Sequence, residues 1–125
     1  MTAHFTDHEL TCKCGCGRMA MKQDFMAKVE DLRVAMGIPL VPTSAYRCPE
    51  YNAKISRTGA SGPHTTGKAI DIAICGEDAY KLVKLAMDFG FSGIGISQRG
   101  AHNGRFIHLD DLSFPDYPRP RIWSY

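Results

Sequence analysis

No stretch of this chain approaches the roughly 20 consecutive apolar residues that a membrane-spanning helix needs, so no such span is expected. The first residues, Met1-Thr-Ala-His-Phe-Thr-Asp-His-Glu9, lack a basic segment followed by an apolar one. They do not read as a secretory signal peptide, and the chain is expected to be made in the cytoplasm. There is no long run of one charge sign. Fifteen Lys and Arg against 13 Asp and Glu leave a net charge of only +2, and nothing points to nucleic acid as a partner. Repeats, low-complexity segments and linkers are also missing, so residues 1–125 are expected to form one domain and a monomer. The five cysteines, Cys12, Cys14, Cys16, Cys48 and Cys75, are odd in number. Without a signal peptide, that argues against a disulfide framework.

What is present reads as an α+β fold, a small antiparallel sheet with flanking helices. Met21 to Met36 repeats Phe25, Val29, Leu32 and Met36 at helical spacing and stops at Gly37 and Pro39. Leu40 to Tyr46 reads as extended, and Pro49 opens a short helix to about Ser56. Arg57 to Thr66 is loop-like. Lys68 to Ile74 alternates, with Ala69, Asp71 and Ala73 on one face and Ile70, Ile72 and Ile74 on the other. Gly76 to Phe89 predicts a second helix burying Ala79, Leu82, Val83 and Ala86, with Gly90 at its C-cap. Gly93 to Ser97 and Arg105 to Asp110 read as strands joined by the polar loop Gln98 to Gly104. The tail, with Pro115, Pro118 and Pro120, is expected to be irregular but pinned by Ile122 and Trp123.

Three residues carry the chemistry. His64 and Asp71 lie in Ser61-Gly-Pro-His64-Thr-Thr-Gly67-Lys-Ala-Ile-Asp71-Ile, and His108 in Arg105-Phe-Ile-His108-Leu-Asp110-Asp111. Two imidazoles and a carboxylate suit zinc, and three protein ligands leave a fourth position open, as a catalytic zinc requires. Gly67 allows the loop to turn back, and adjacent antiparallel strands would aim Asp71 and His108 at one point. His-x6-Asp alone is a weak signal, and its value comes from the flanks. The close Cys12, Cys14 and Cys16 read first as a tight glycine-containing turn with reduced thiols. A second, structural ion at Cys12, Cys14, Cys16 and Cys48 is the lesser reading, because the spacing departs from a usual zinc knuckle.

The flanks are those of a known family. Ser44-Ala-Tyr-Arg47-Cys-Pro-Glu-Tyr-Asn52, Gly62-Pro-His64-Thr-Thr-Gly67-Lys-Ala-Ile-Asp71-Ile, Gly93-Ile-Gly95-Ile, Phe106-Ile-His108-Leu-Asp110 and Arg121-Ile-Trp123 run in family order from Ser44 to Trp123. The sequence resembles the peptidase M15 family of zinc D-Ala-D-Ala carboxypeptidases and peptidoglycan endopeptidases, and within it the small single-domain branch of bacteria and phages. The resemblance implies a fold like the hedgehog signalling domain, one catalytic Zn2+ on His64, Asp71 and His108, and peptidoglycan stem peptides as substrate. It also implies action at the cell wall or periplasm after release, or as a phage or prophage lysis enzyme.

Arg47 is the expected substrate-binding residue, since a guanidinium holds a carboxylate bidentately; a salt bridge within its own turn is the structural counterpart. In such an enzyme zinc polarises the scissile carbonyl and acidifies water, while a base carries the proton to the leaving amine. Many family members carry a carboxylate shortly before the last histidine ligand. Here His102-Asn-Gly-Arg105-Phe-Ile stands in its place, leaving His102 as the nearest proton carrier. Asp110 is expected to orient His108 from behind or to sit beside the metal. The competing reading is a non-catalytic zinc module that recognises wall peptide or a protein partner. A weaker third reading is a structural protein stabilised by the Cys cluster.

Overall fold

Two central strands set the architecture. In the computed structural model, which describes residues 1–125, β2 (Ala69–Ala73) and β4 (Phe106–Asp110) pair antiparallel with Asp71 opposite His108 and Ile70 opposite Leu109. Because side chains alternate across a strand, this register gathers isoleucine and leucine on one face and Asp71, His108 and Asp110 on the other. Strands β1 (Val41–Ser44) and β3 (Gly93–Ser97) and a C-terminal strand β5 (Arg121–Ser124) complete a five-stranded sheet in the order β1-β2-β4-β3-β5.

Four helices accompany the sheet: α1 (Asp7–Leu10), α2 (Gln23–Met36), α3 (Pro49–Ile55) and α4 (Gly76–Asp88). The apolar sheet face, with Ile70, Ile72, Ile94, Ile107 and Leu109, shares one core with Phe25, Met26, Val29, Leu32 and Met36 of α2 and Ala79, Leu82 and Ala86 of α4. Val83 is only partly buried. Gly37 ends α2 in the left-handed conformation at φ 71°, which glycine adopts without steric cost. Helix α1 was not expected. Its Thr6-x-x-Glu9 capping box satisfies backbone N–H groups at the N-terminus, and its Leu10 is buried.

The α+β expectation holds, but the sheet is mixed rather than antiparallel. β1–β2, β2–β4 and β3–β4 are antiparallel, whereas β3–β5 is parallel. After β4 the chain reverses as in a hairpin, but β3 already occupies that edge of β4. The returning strand therefore docks on the far side of β3 and runs parallel to it. The expected irregular tail is thus confined to the proline-bearing stretch before Arg121. No helix is long and apolar enough to cross a membrane.

Leu109 is fully buried at the sheet centre, whereas Ile122 on β5 is 57% exposed. Leu109→Ala is expected to cost about 2–5 kcal/mol of unfolding free energy, and Ile122→Ala less than about 0.5 kcal/mol. Urea denaturation midpoints check both.

Candidate metal centre

His64 sits on a one-turn helix, Pro63–Thr65, that enters β2 through Gly67. Gly67 has φ +78°, and a Cβ there would lie 2.1 Å from the Ala20 carbonyl oxygen, so both conformation and space require glycine. The turn brings His64 Nε2 to 3.2 Å from Asp71 Oδ1, and β4 brings His108 Nδ1 to 3.0 Å from the same oxygen. All three residues are buried, and one ligand atom from each lies within 4.8 Å of the others.

The far nitrogens decide what these atoms can bind. His64 Nδ1 lies 2.7 Å from the Ala45 carbonyl oxygen, which only accepts, so Nδ1 carries the hydrogen. His108 Nε2 lies 2.8 Å from Asp110 Oδ2 and donates to it. With those N–H groups committed, the neutral rings turn lone pairs toward a carboxylate. Acceptors facing acceptors repel unless a cation, proton or metal, lies among them. Two nitrogens and one oxygen are also a donor set that zinc takes. The residues therefore fit the ion that the sequence implies.

The protonation states agree. Burial opposes charge on Asp71, but the hydrogen bonds of His108 and His64 outweigh it and hold the carboxyl well below the usual range. Burial likewise opposes an imidazolium at His108, yet Asp110 and Asp71 together push its pKa above the ordinary 6.5. Asp110 is lowered to about 2, its burial overcome chiefly by Arg119 and then by His108. Arg119 grips Asp110 bidentately, Nε on Oδ1 at 2.9 Å and Nη2 on Oδ2 at 2.7 Å.

The two glycines of Gly93-Ile-Gly95 make room for this assembly. A Cβ on Gly93 would fall 2.1 Å from Asp110 Oδ1, and one on Gly95 2.7 Å from Trp123 Nε1. Trp123 in turn packs beside His108, with ring centroids 5.0 Å apart, and lies under the Arg119 guanidinium.

The three converging side chains line a cleft of about 570 Å³. Arg47, Arg119 and Arg121 also line it, and Asp71 is its one acidic lining residue. Arg47 donates through Nε to Ser44 and through Nη1 to Asn52, and its Nη2 stands 3.7 Å from Asp71 Oδ2. Glu50, the carboxylate in the turn of Arg47 itself, pairs with Arg18 instead. Arg121 has no carboxylate partner and lies over Trp123. Tyr117 donates its hydroxyl to the Ser61 carbonyl at 2.7 Å, tying the segment before β5 to the loop before His64.

Of the residues singled out from sequence, His64, Asp71, His108 and Arg47 meet in this cleft. Asp110 lies directly behind His108, fully buried and outside the cleft lining, which is the place of a positioning residue. His102 does not join them. It is exposed on the short helix His102–Gly104 of the β3–β4 loop, outside the cleft lining. Arg119 and Tyr117 carry no signal in the sequence, and Trp123 stands out there only as an anchor of the tail and as part of the Arg121-Ile-Trp123 block. The alternation of Arg121, Trp123 and Tyr125, all cleft-lining, was the available signal, and the three prolines before it masked the strand. The Cys12–Cys16 segment does turn at Gly15 and Gly17, and it brings three thiols to Cys48 rather than leaving them apart.

A family model described as Peptidase M15 matches residues 3–110. That span holds the three converging side chains and Asp110 but not Arg119, Arg121 or Trp123. No curated protein matches the chain.

Asp110→Asn is expected to weaken zinc binding about 10- to 100-fold, and Gly93→Ala, which displaces the same carboxylate, is expected to act in the same direction. Competition against a chromophoric chelator measures both. Binding through His108 Nδ1 must displace the proton favoured by the raised pKa. Zinc affinity is therefore expected to tighten as pH rises through and above 6.5, with proton release visible in calorimetry across buffers of different ionisation enthalpy.

Proposed function

Since the chain belongs to the peptidase M15 family, we propose that it is a zinc peptidase that hydrolyses peptide bonds of peptidoglycan stem peptides, as a D-Ala-D-Ala carboxypeptidase or a cross-link endopeptidase. The observation that carries this reading is the convergence of His64 Nε2, Asp71 Oδ1 and His108 Nδ1 at the floor of an open cleft, with both rear N–H groups locked. Zinc held there would polarise a peptide carbonyl and acidify water.

The chain's own residues supply the rest. Ala45 and Asp110 fix the two imidazole tautomers and orientations, so little reorganisation is left for the reaction itself. Arg119 keeps Asp110 ionised behind His108. Arg121, on the cleft wall without a carboxylate partner, is placed to take a substrate carboxylate such as a terminal D-alanine or a diaminopimelate side group. Arg47 has Nε and Nη1 committed to Ser44 and Asn52, and its Nη2, 3.7 Å from Asp71 Oδ2, is the edge left to contact the substrate carbonyl. The cleft's size and openness suit an extended peptide.

A second reading, a wall-peptide-binding module without turnover, has one specific observation behind it. No side-chain carboxylate other than that of Asp71 lines the cleft. The titratable Tyr117 and Tyr125 there have pKa values raised by burial, which makes them poor bases at neutral pH.

Digestion of purified muropeptides by the zinc-loaded protein, read by mass spectrometry beside His108→Ala, tests the first reading against the second. Loss of one alanine, or splitting of a cross-linked dimer, that disappears in His108→Ala establishes the peptidase and names the bond. Intact muropeptides that nonetheless bind the zinc-loaded protein favour the module. In the active case Arg121→Ala is expected to raise KM about 10-fold or more, with a smaller change in kcat, the size of one charge-assisted hydrogen bond. Steady-state kinetics on substrates with a free and an amidated carboxylate check it.

A further inference from the structure

Cys12, Cys14, Cys16 and Cys48 all precede His64 in the sequence and lie outside the cleft lining, and the peptidase reading does not use them. Their four sulfurs fall within 4.8 Å of one another. Cys12 Sγ is 3.5 Å from Cys14 Sγ, and Cys14 Sγ is 3.7 Å from Cys48 Sγ. A zinc–sulfur bond of about 2.3 Å in a tetrahedron sets sulfur–sulfur edges of about 3.8 Å, close to those separations. The distances are far beyond a disulfide bond, which needs about 2.05 Å.

The backbone is shaped to bring these sulfurs together. Gly15 and Gly17 both adopt positive φ, +89° and +77°, and Cys12 N–H donates to the Arg18 carbonyl at 2.9 Å, closing the loop. Backbone N–H groups also point at sulfur. Cys48 N–H donates to Cys12 Sγ and Arg18 N–H to Cys16 Sγ, each at 3.4 Å. Such N–H donors favour the thiolate form that a metal needs. Cys12 and Cys48 are buried, while Cys14 and Cys16 lie in the exposed loop yet place their sulfurs against the buried pair. The fifth cysteine, Cys75, lies outside the cluster.

We propose that Cys12, Cys14, Cys16 and Cys48 form a second, structural zinc site, a closed four-thiolate centre. Sulfurs this close enclose one ion only, and an all-thiolate tetrahedral set selects zinc over harder divalent ions. Four protein ligands leave no open position, so this ion holds structure and takes no part in hydrolysis. It fastens the irregular loop after α1 to Cys48, the N-cap of α3 and the residue next to Arg47. The same join is continued by Tyr46 N–H donating to the Leu10 carbonyl.

Metal content of the full chain, purified with reductant, tests the site independently of any hydrolysis. The wild type is expected to hold two zinc ions, His108→Ala one, and Cys14→Ser/Cys16→Ser one. Cobalt-loaded wild type and His108→Ala should both show an intense near-ultraviolet thiolate-to-cobalt band, absent from the double cysteine variant. That band is read on unaltered protein, so a variant that fails to fold does not remove the test. A wild type with one zinc that vanishes in His108→Ala overturns the proposal, as do a cobalt form without the thiolate band and iron in place of zinc. If muropeptide digestion fails while the band persists in His108→Ala, the peptidase reading falls and this site stands.

Discussion

The Asp110 carboxylate is wholly buried, and the polar face of the sheet is arranged around keeping it paired. An ionised carboxylate left alone in such a place costs several kcal/mol. Arg119 meets both of its oxygens and His108 meets one. Gly93 yields the space above it, and Trp123 covers the guanidinium that neutralises it. That chain of contacts fixes the His108 ring, and with it the direction of Nδ1. The parallel strand β5 follows from the same need, because it sets Trp123 opposite Gly95 and Arg121 opposite Gly93.

A second layer of charge lies in front of the first. Asp71 faces two imidazoles and Arg47, a concentration of polar groups that contributes little to folding by itself. The helix-facing side of the sheet supplies the stability that this polar face does not. Ile70, Ile72, Ile107 and Leu109 are at most 1% exposed. Stability and chemistry thus occupy opposite faces of the same short strands, joined at alternate residues. Mass action links them further, since an ion bound only by the folded arrangement stabilises it.

Much of this was legible in the sequence where a single periodicity rules. Both long helices, the central strands and the facing of Asp71 and His108 follow from alternation of residues 69–73 and 106–110 and from helical spacing in residues 23–36 and 76–88. Gly67 as a turn was equally plain. What escaped depends on contacts made across the chain. Nothing local says that Arg119 seeks Asp110, or that Gly93 is small because a carboxylate lies over it. β5 hid behind Pro115, Pro118 and Pro120, which break a strand in residues 115–120 but not the alternation that starts at Arg121. The gathering of Cys12, Cys14 and Cys16 on Cys48 ranked only second in the sequence, because the spacing of the three departs from a usual zinc knuckle and the fourth member is 32 residues beyond Cys16. His102 drew attention by proximity in sequence to His108, but the loop carries it into solvent while the strand carries His108 inward.

The strict alternation of β2 and β4 sets which changes in chain length the molecule can survive. In β4, Ile107 and Leu109 face the helices, while His108 and Asp110 point to the opposite face, His108 into the cleft and Asp110 behind it. Deleting or inserting one residue within the strand would exchange the two sets, sending an imidazole and a carboxylate into the apolar core and greasing the cleft floor. No compensating substitution at one position repairs that. The exposed loop between β3 and β4 carries no such parity, because its length alters neither register. Descendants of this chain are therefore free to vary there by insertion and deletion, while β2 and β4 can change only letter by letter.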